Sequence, residues 1–224
     1  VGEDSYGSFF VFRKLEQDVA GFHRRLADLA QALGTDTELA GAYVVGRFRD
    51  GTPVVLKDRP GGAADEVTNF NFADDMAGSR CPFQAHIRKT NPRGDTVRVF
   101  EGDFHFERNH RIVRRGVPFG KQPPPGMKPT WPVGLLFTCF QSDIGNQFEL
   151  MQTSWANSLH FVRQKTGLDP IIGQGEQLIG GQGWPKAWGD DSTAKAVPFD
   201  FSPYVALKGG EYFFAPSRGF LTSL

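Results

Sequence analysis

Ser8-Phe-Phe-Val-Phe-Arg-Lys-Leu15 opens the ordered part of the chain. Phe9, Phe10, Val11 and Phe12 favour extended backbone and run almost without a polar break, as in a strand covered on two faces. Directly after it Val19, Phe22, Leu26, Leu29 and Leu33 recur at steps of three and four. That spacing lays one apolar stripe on a helix, and Gly34 is placed to end it in the left-handed C′ position. A strand feeding an amphipathic helix suits the opening of a layered α+β arrangement.

Ala40 to Arg47 suits a short helix or a strand equally. Lys57 to Phe83 is polar and rich in turn residues, and Ala85-His-Ile-Arg88 is the next ordered piece, closed by the turn signal Thr90-Asn-Pro-Arg93. Arg111 to Arg115 reads as a short extended run ended by Gly116. Gly134 to Phe140 is an apolar strand. A second amphipathic helix is expected from Ser142 or Asp143, a good N-cap, with Ile144, Phe148, Met151, Trp155 and Leu159 on one face. Gln122 to Pro132 and Ile172 to Pro185 read as long loops, and Glu211 to Ala215 as a closing strand. The order strand, helix, strands, helix, strand gives an α+β class: a ferredoxin-like antiparallel sheet with helices on one face.

Lys plus Arg and Asp plus Glu each number 25, so the formal charge is zero. Phosphate recognition needs a surplus of positive charge, so nucleic acid is not an expected partner. No apolar run approaches the ~18 residues of a membrane span, and no membrane partner is expected. Cys81 and Cys139 are too few for a disulfide scaffold and lack metal-type spacing. The histidines form no HExxH or His–Cys cluster, and no GxSxG or P-loop occurs. Phe is abundant (21) and Tyr scarce (4), which suits a deep apolar cavity.

Five segments stand out: Gly7-Ser-Phe-Phe-Val-Phe-Arg-Lys-Leu-Glu-Gln17, Cys81-Pro-Phe-Gln-Ala-His-Ile-Arg-Lys-Thr-Asn-Pro-Arg93, His110-Arg-Ile-Val-Arg-Arg-Gly-Val-Pro-Phe-Gly120, Gly134-Leu-Leu-Phe-Thr-Cys-Phe-Gln-Ser-Asp-Ile144 leading to Gln147-Phe-Glu149, and Gly209-Gly-Glu-Tyr-Phe-Phe-Ala-Pro-Ser217. Together, and in this order, they closely resemble the C-terminal, haem-ligand half of dye-decolourising peroxidases. The resemblance implies half of a two-domain dimeric α+β barrel, with residues 1–224 as one haem-binding ferredoxin-like domain carrying long loop insertions. It implies haem b as cofactor, hydrogen peroxide as oxidant, and an aromatic dye or phenol as one-electron reductant.

In that family the His of the second segment is the proximal ligand, which here is His86, and a neutral imidazole suits iron. A carboxylate should hold its other ring nitrogen; Asp143 is the first choice and Glu149 the second, although Asp143 equally suits a plain N-cap. Arg114 matches the family's distal arginine, whose permanent charge can stabilise the negative charge that develops as the O–O bond breaks. His110, Ile112 and Arg114 share one face by period two, which makes His110 the rival ligand. Leu135 and Phe137 match distal-pocket residues and would narrow the access channel. Arg88 and Arg93 would pair with haem propionates or lie on a solvated face. Trp131, Trp155, Trp184, Trp188 and Tyr212 are candidates for surface electron transfer; Trp155 is expected in the core, Trp184 and Trp188 nearer the surface.

The family's distal aspartate sits in a GxxDG motif upstream of the first segment, and no GxxDG occurs in this chain. With Val1 leading almost at once into a core strand, the expectation is an N-terminal half held as a second chain, in an obligate heterodimer. The competing functional class is a haem-binding or haem-storage protein without peroxidase chemistry. A cofactor-free interaction module comes third.

Overall fold

The structure is a computed structural model that describes residues 5–61, 68–121, 127–176, 181–192 and 196–223. In chain order its elements are β1 (Ser8–Gln17), α1 (Val19–Leu33), α2 (Thr37–Val45), α3 (His86–Thr90), α4 (Asp95–Phe100), α5 (Phe104–Asn109), β2 (Val113–Arg114), β3 (Val117–Phe119) and β4 (Gly134–Gln141). Two π-helical segments follow (Ile144–Glu149 and Met151–Ala156), then β5 (Gln182–Pro185), β6 (Ala196–Phe199), β7 (Val205–Ala215) and α6 (Arg218–Thr222). The architecture is the expected α+β class, an antiparallel sheet accompanied by helices. Two compact units make it up: residues 1–20, 109–150 and 205–224 form the first, residues 21–108 and 151–204 the second.

The first unit is built on a five-stranded antiparallel sheet in the order β2-β4-β1-β7, with β3 also paired to β4. In an antiparallel pair, residues directly opposite one another project to the same face. Phe9, Val11, Arg13 and Leu15 therefore share a face with Gln141, Cys139, Phe137 and Leu135, their partners on β4. Phe148, from the first π-helical segment, covers part of this face: its ring lies 6.0 Å from Phe137 and 6.3 Å from Tyr212, with the Arg13 guanidinium over it. On the opposite face Phe10 stands between Phe140 and Phe213, at ring separations of 5.0 and 6.0 Å. Gly134 begins β4 where a Cβ would meet the Leu15 carbonyl oxygen at 1.9 Å, so no side chain fits this strand approach.

The second unit holds the main apolar core. Leu26, Leu29, Ala30 and Leu33 are the buried face of α1, and Gly34 ends the helix at φ 68 as expected of a C′ glycine. They pack with Ala40, Tyr43 and Val44 of α2, which settles as a helix capped by Asp36, and with Phe72, Ala85, Trp184 and Phe201. Burying such side chains contributes roughly 1.5–3 kcal/mol each.

Two expectations are corrected. The segment after Asp143 is π-helical, not α-helical, so the three-and-four spacing does not apply: Leu159 lies beyond its end and Trp155 is half-buried. Asp143 does cap it, accepting from the Asn146 N–H at 2.8 Å, and Gln147 Oε1 reinforces the start by accepting three donors from Ser142 and Asp143. The region 182–185 is a strand paired with β6; glycine-rich composition concealed it. Residues 122–126 and 177–180 of the two expected loops lie outside the described residues.

Candidate active site

His86 opens α3 in the second unit, directly after the buried Ala85. Its Nδ1 lies 2.9 Å from Asp169 Oδ2, and the histidine side chain is 27% exposed while the aspartate side chain is at 0%. Among the described residues Nε2 has no hydrogen-bond partner, so one ring nitrogen is anchored and the other is left for a ligand. Asp169 itself is fixed by its other oxygen, which accepts the N–H groups of Ile171 and Ile172 at 2.8 and 3.0 Å. Burial pushes its carboxyl up, but its pairing with His86 and these two amides outweigh burial and hold it below the usual carboxylate range. An anionic acceptor on Nδ1 selects the tautomer with Nε2 unprotonated, the form that binds a metal.

The carboxylate behind His86 is thus Asp169, not Asp143 or Glu149. Asp143 is an exposed helix cap in the first unit, and Glu149 accepts the Tyr212 hydroxyl at 2.8 Å. Asp169 escaped notice because it is 83 positions from His86 in sequence and sits before Pro170, where an Asp reads as an ordinary turn former.

Arg88 is a second correction. It is fully buried, and all five of its N–H donors are used, on Asp95, Asp75, the Cys81 carbonyl and the Asp75 carbonyl. Burial opposes its charge, but Asp95 and Asp75 hold it above its ordinary value. No donor remains for a propionate. Arg93 is half-buried; its Nη1 donates to the Thr68 and Phe70 carbonyls, and its guanidinium stacks 4.0 Å from the centre of the Phe70 ring.

In the first unit, Arg114 of β2 stands opposite Cys139 of β4 and is exposed. The register puts it on the same sheet face as Leu135 and Phe137, which are half-buried. These three expected residues therefore share one surface. His110 precedes the strand, is buried, and uses Nδ1 on the Asn146 carbonyl. Trp184 is fully buried with its N–H on the Phe199 carbonyl, and Trp188 is half-buried with its N–H on the Val54 carbonyl, so neither is the surface residue expected. Trp131 is 78% exposed and Tyr212 37%. The two cysteines are free and buried.

A cavity of about 460 Å³ also lies in the second unit, walled by Phe83, Arg163, Lys165, Trp184 and Pro198 among others; neither His86 nor Asp169 lines it.

A single imidazole with a free nitrogen and a buried carboxylate behind it fits an axial ligand to a metal already held in a macrocycle. No helix among the described residues is long and apolar enough to cross a membrane.

Comparison with known proteins identifies the family. The family model for the C-terminal part of Dyp-type peroxidases matches residues 3–167. The multifunctional dye peroxidase DyP2 of an Amycolatopsis species is 44% identical over 98% of this chain and 49% of its own length. Dye-decolorizing peroxidase msp1 of Mycetinis scorodonius is 36% identical over 94% of this chain and 44% of its own. Among solved structures, an Anabaena DyP-type peroxidase superposes with a TM-score of 0.88 at 50% identity, covering 99% of this chain and 46% of that one. The chain spans about half the length of the curated relatives it matches. It belongs to the Dyp-type peroxidase family and corresponds to the C-terminal part of its members.

Proposed function

We propose that the chain is the haem-holding half of a peroxidase that reduces hydrogen peroxide and oxidises bulky dyes or phenols in one-electron steps. The observation that carries the reading is the His86–Asp169 pair, with Nδ1 tied at 2.9 Å to a buried carboxylate and Nε2 left for iron. Haem b, when bound, would supply the iron redox chemistry that peroxide turnover needs. His86 would hold the iron, and Asp169 would keep the ring in one tautomer and make the imidazole a stronger donor.

Arg114 would meet peroxide. Its guanidinium would stabilise negative charge on the departing oxygen. Leu135 and Phe137, on the same sheet face, would limit access to small oxidants and keep bulky reductants outside. Electrons from those reductants would then enter through exposed aromatics, of which Trp131 and Tyr212 are the most accessible of the candidates.

A preceding half would complete the fold and supply the distal aspartate as proton carrier. A separate partner chain finds no support in the matched relatives, each of which is a single protein about twice the length of the match. Intact mass of the native protein reads the arrangement directly.

The test is peroxide-dependent dye bleaching by the native, haem-loaded protein. Arg114→Leu is expected to keep haem and lose about 10²–10³ in turnover, the usual cost of removing one charge-stabilising donor. Bleaching unaffected in Arg114→Leu removes that residue from the mechanism. A haem-loaded wild type that consumes no peroxide supports a storage protein instead.

A further inference from the structure

Lys89 lies three residues after His86 on α3, close to one helical turn, and is fully enclosed. Its ammonium group donates to the carbonyls of Ala156, Ser158 and Gly167 at 3.2, 2.7 and 2.7 Å. Those acceptors use all three of its N–H bonds. They belong to the segment that leaves the second π-helical stretch and delivers Asp169. The link is direct at one end, because the Ala156 carbonyl that accepts Lys89 also accepts the Asp169 N–H at 2.9 Å. One short helix thus carries the imidazole and the cation that grips the chain presenting its carboxylate.

A buried ammonium costs several kcal/mol in desolvation, and neutral carbonyls repay this less well than an anion does. Burial lowers Lys89 to about 8, and the Asp169 charge works against that lowering.

We propose that Lys89 is a positioning residue: it sets the place of Asp169 behind His86 and its strength as a hydrogen-bond acceptor, and through that pair tunes how strongly the imidazole donates to iron. The inference rests on the haem reading above. Its sign follows from electrostatics. The Lys89 charge draws electron density toward itself and weakens Asp169 as an acceptor. Without it, the carboxylate pulls harder on the Nδ1 proton, the imidazole becomes a stronger donor, and ferric iron gains over ferrous.

The experiment is spectroelectrochemical titration of the native, haem-loaded protein and of Lys89→Gln, which keeps two N–H donors but no charge. Lys89→Met serves as a second neutral variant should the first fail to fold, and Lys89→Arg keeps the charge. In the neutral variants the ferric-to-ferrous ratio at fixed potential should rise on the order of tenfold, ~59 mV for one electron. Lys89→Arg should stay near wild type. In an Asp169→Asn background the Lys89 effect should vanish, as a coupled pair requires. A haem-loaded Lys89→Gln or Lys89→Met protein with the wild-type potential overturns the inference, and so does an equal shift in the Asp169→Asn background. A wild-type protein with no Soret band would instead sink the haem reading.

Discussion

In the second unit, Arg88 and Lys89 are sealed from solvent with every donor on a protein acceptor, and Leu29, Phe72 and Trp184 are at 0% exposure. In the first unit, nine of the eleven residues of β7 are exposed. Among them Phe213 is 50% and Phe214 63% accessible, and among the described residues β7 pairs with β1 alone. The two regions have met opposite problems. The second has to hide charge and does so with carboxylates and carbonyls at hydrogen-bond distance. The first presents apolar strand surface and an open edge, which proteins ordinarily cover or blunt. The difference gives the second unit, which carries His86, a sealed charged core, and leaves apolar strand surface open to solvent in the first.

The largest effect should come from breaking the buried charge network. Arg88→Met strands Asp75 and Asp95 in the interior and should cost about 3–5 kcal/mol in a denaturant titration. A loss under 1 kcal/mol would show that these carboxylates reach water and that the second unit is not closed. Next, Leu29→Ala should cost about 2–5 kcal/mol by opening a cavity in the same core.

Asp169→Asn addresses acid stability. A carboxylate held below its unfolded value contributes stability that is present above the unfolded carboxylate range and is lost as pH falls through the depressed value. The variant should therefore be less stable than wild type near neutrality and lose less on acidification, bringing the two curves together in acid. Parallel curves would show that Asp169 is not ionised in the fold. The smallest effect should be Phe213→Ala, about 0.5 kcal/mol or less in this chain alone. In the protein that includes the preceding half the cost should grow, because the ring would then be covered. An equal cost in the two contexts would mean the sheet face is never used.

Much of the frame was legible in the residues. The phenylalanine-rich run of β1, the stripe and terminal glycine of α1, and the apolar run of β4 each follow from local preference and periodicity, and the structure has all three. The π-helical segments were not legible as such. Their apolar residues mimic a three-and-four spacing, and only main-chain bonding between positions five apart, as from Asn157 N–H to the Gln152 carbonyl, distinguishes them. Strand β5 was hidden by glycine, and the burial of Trp184 by its setting in a loop-like composition.

His86, Arg114, Leu135 and Phe137 are legible only through motif resemblance. Local pattern alone could not separate His86 from His110. Asp169 was missed because long-range partners leave no periodic trace, whereas a capping position such as Asp143 does. Arg88 was misread for a related reason. Its acceptors, Asp75 and Asp95, fall in turn-rich sequence where carboxylates look solvated, yet the fold turns them inward.

The central claim is that His86, oriented by Asp169, binds haem iron through Nε2. Resonance Raman of the ferrous, haem-loaded native protein tests it most directly. An iron–imidazole stretching band is expected that disappears in His86→Ala and moves to lower frequency in Asp169→Asn, as the imidazole donor weakens. A band that survives unchanged in His86→Ala would contradict it.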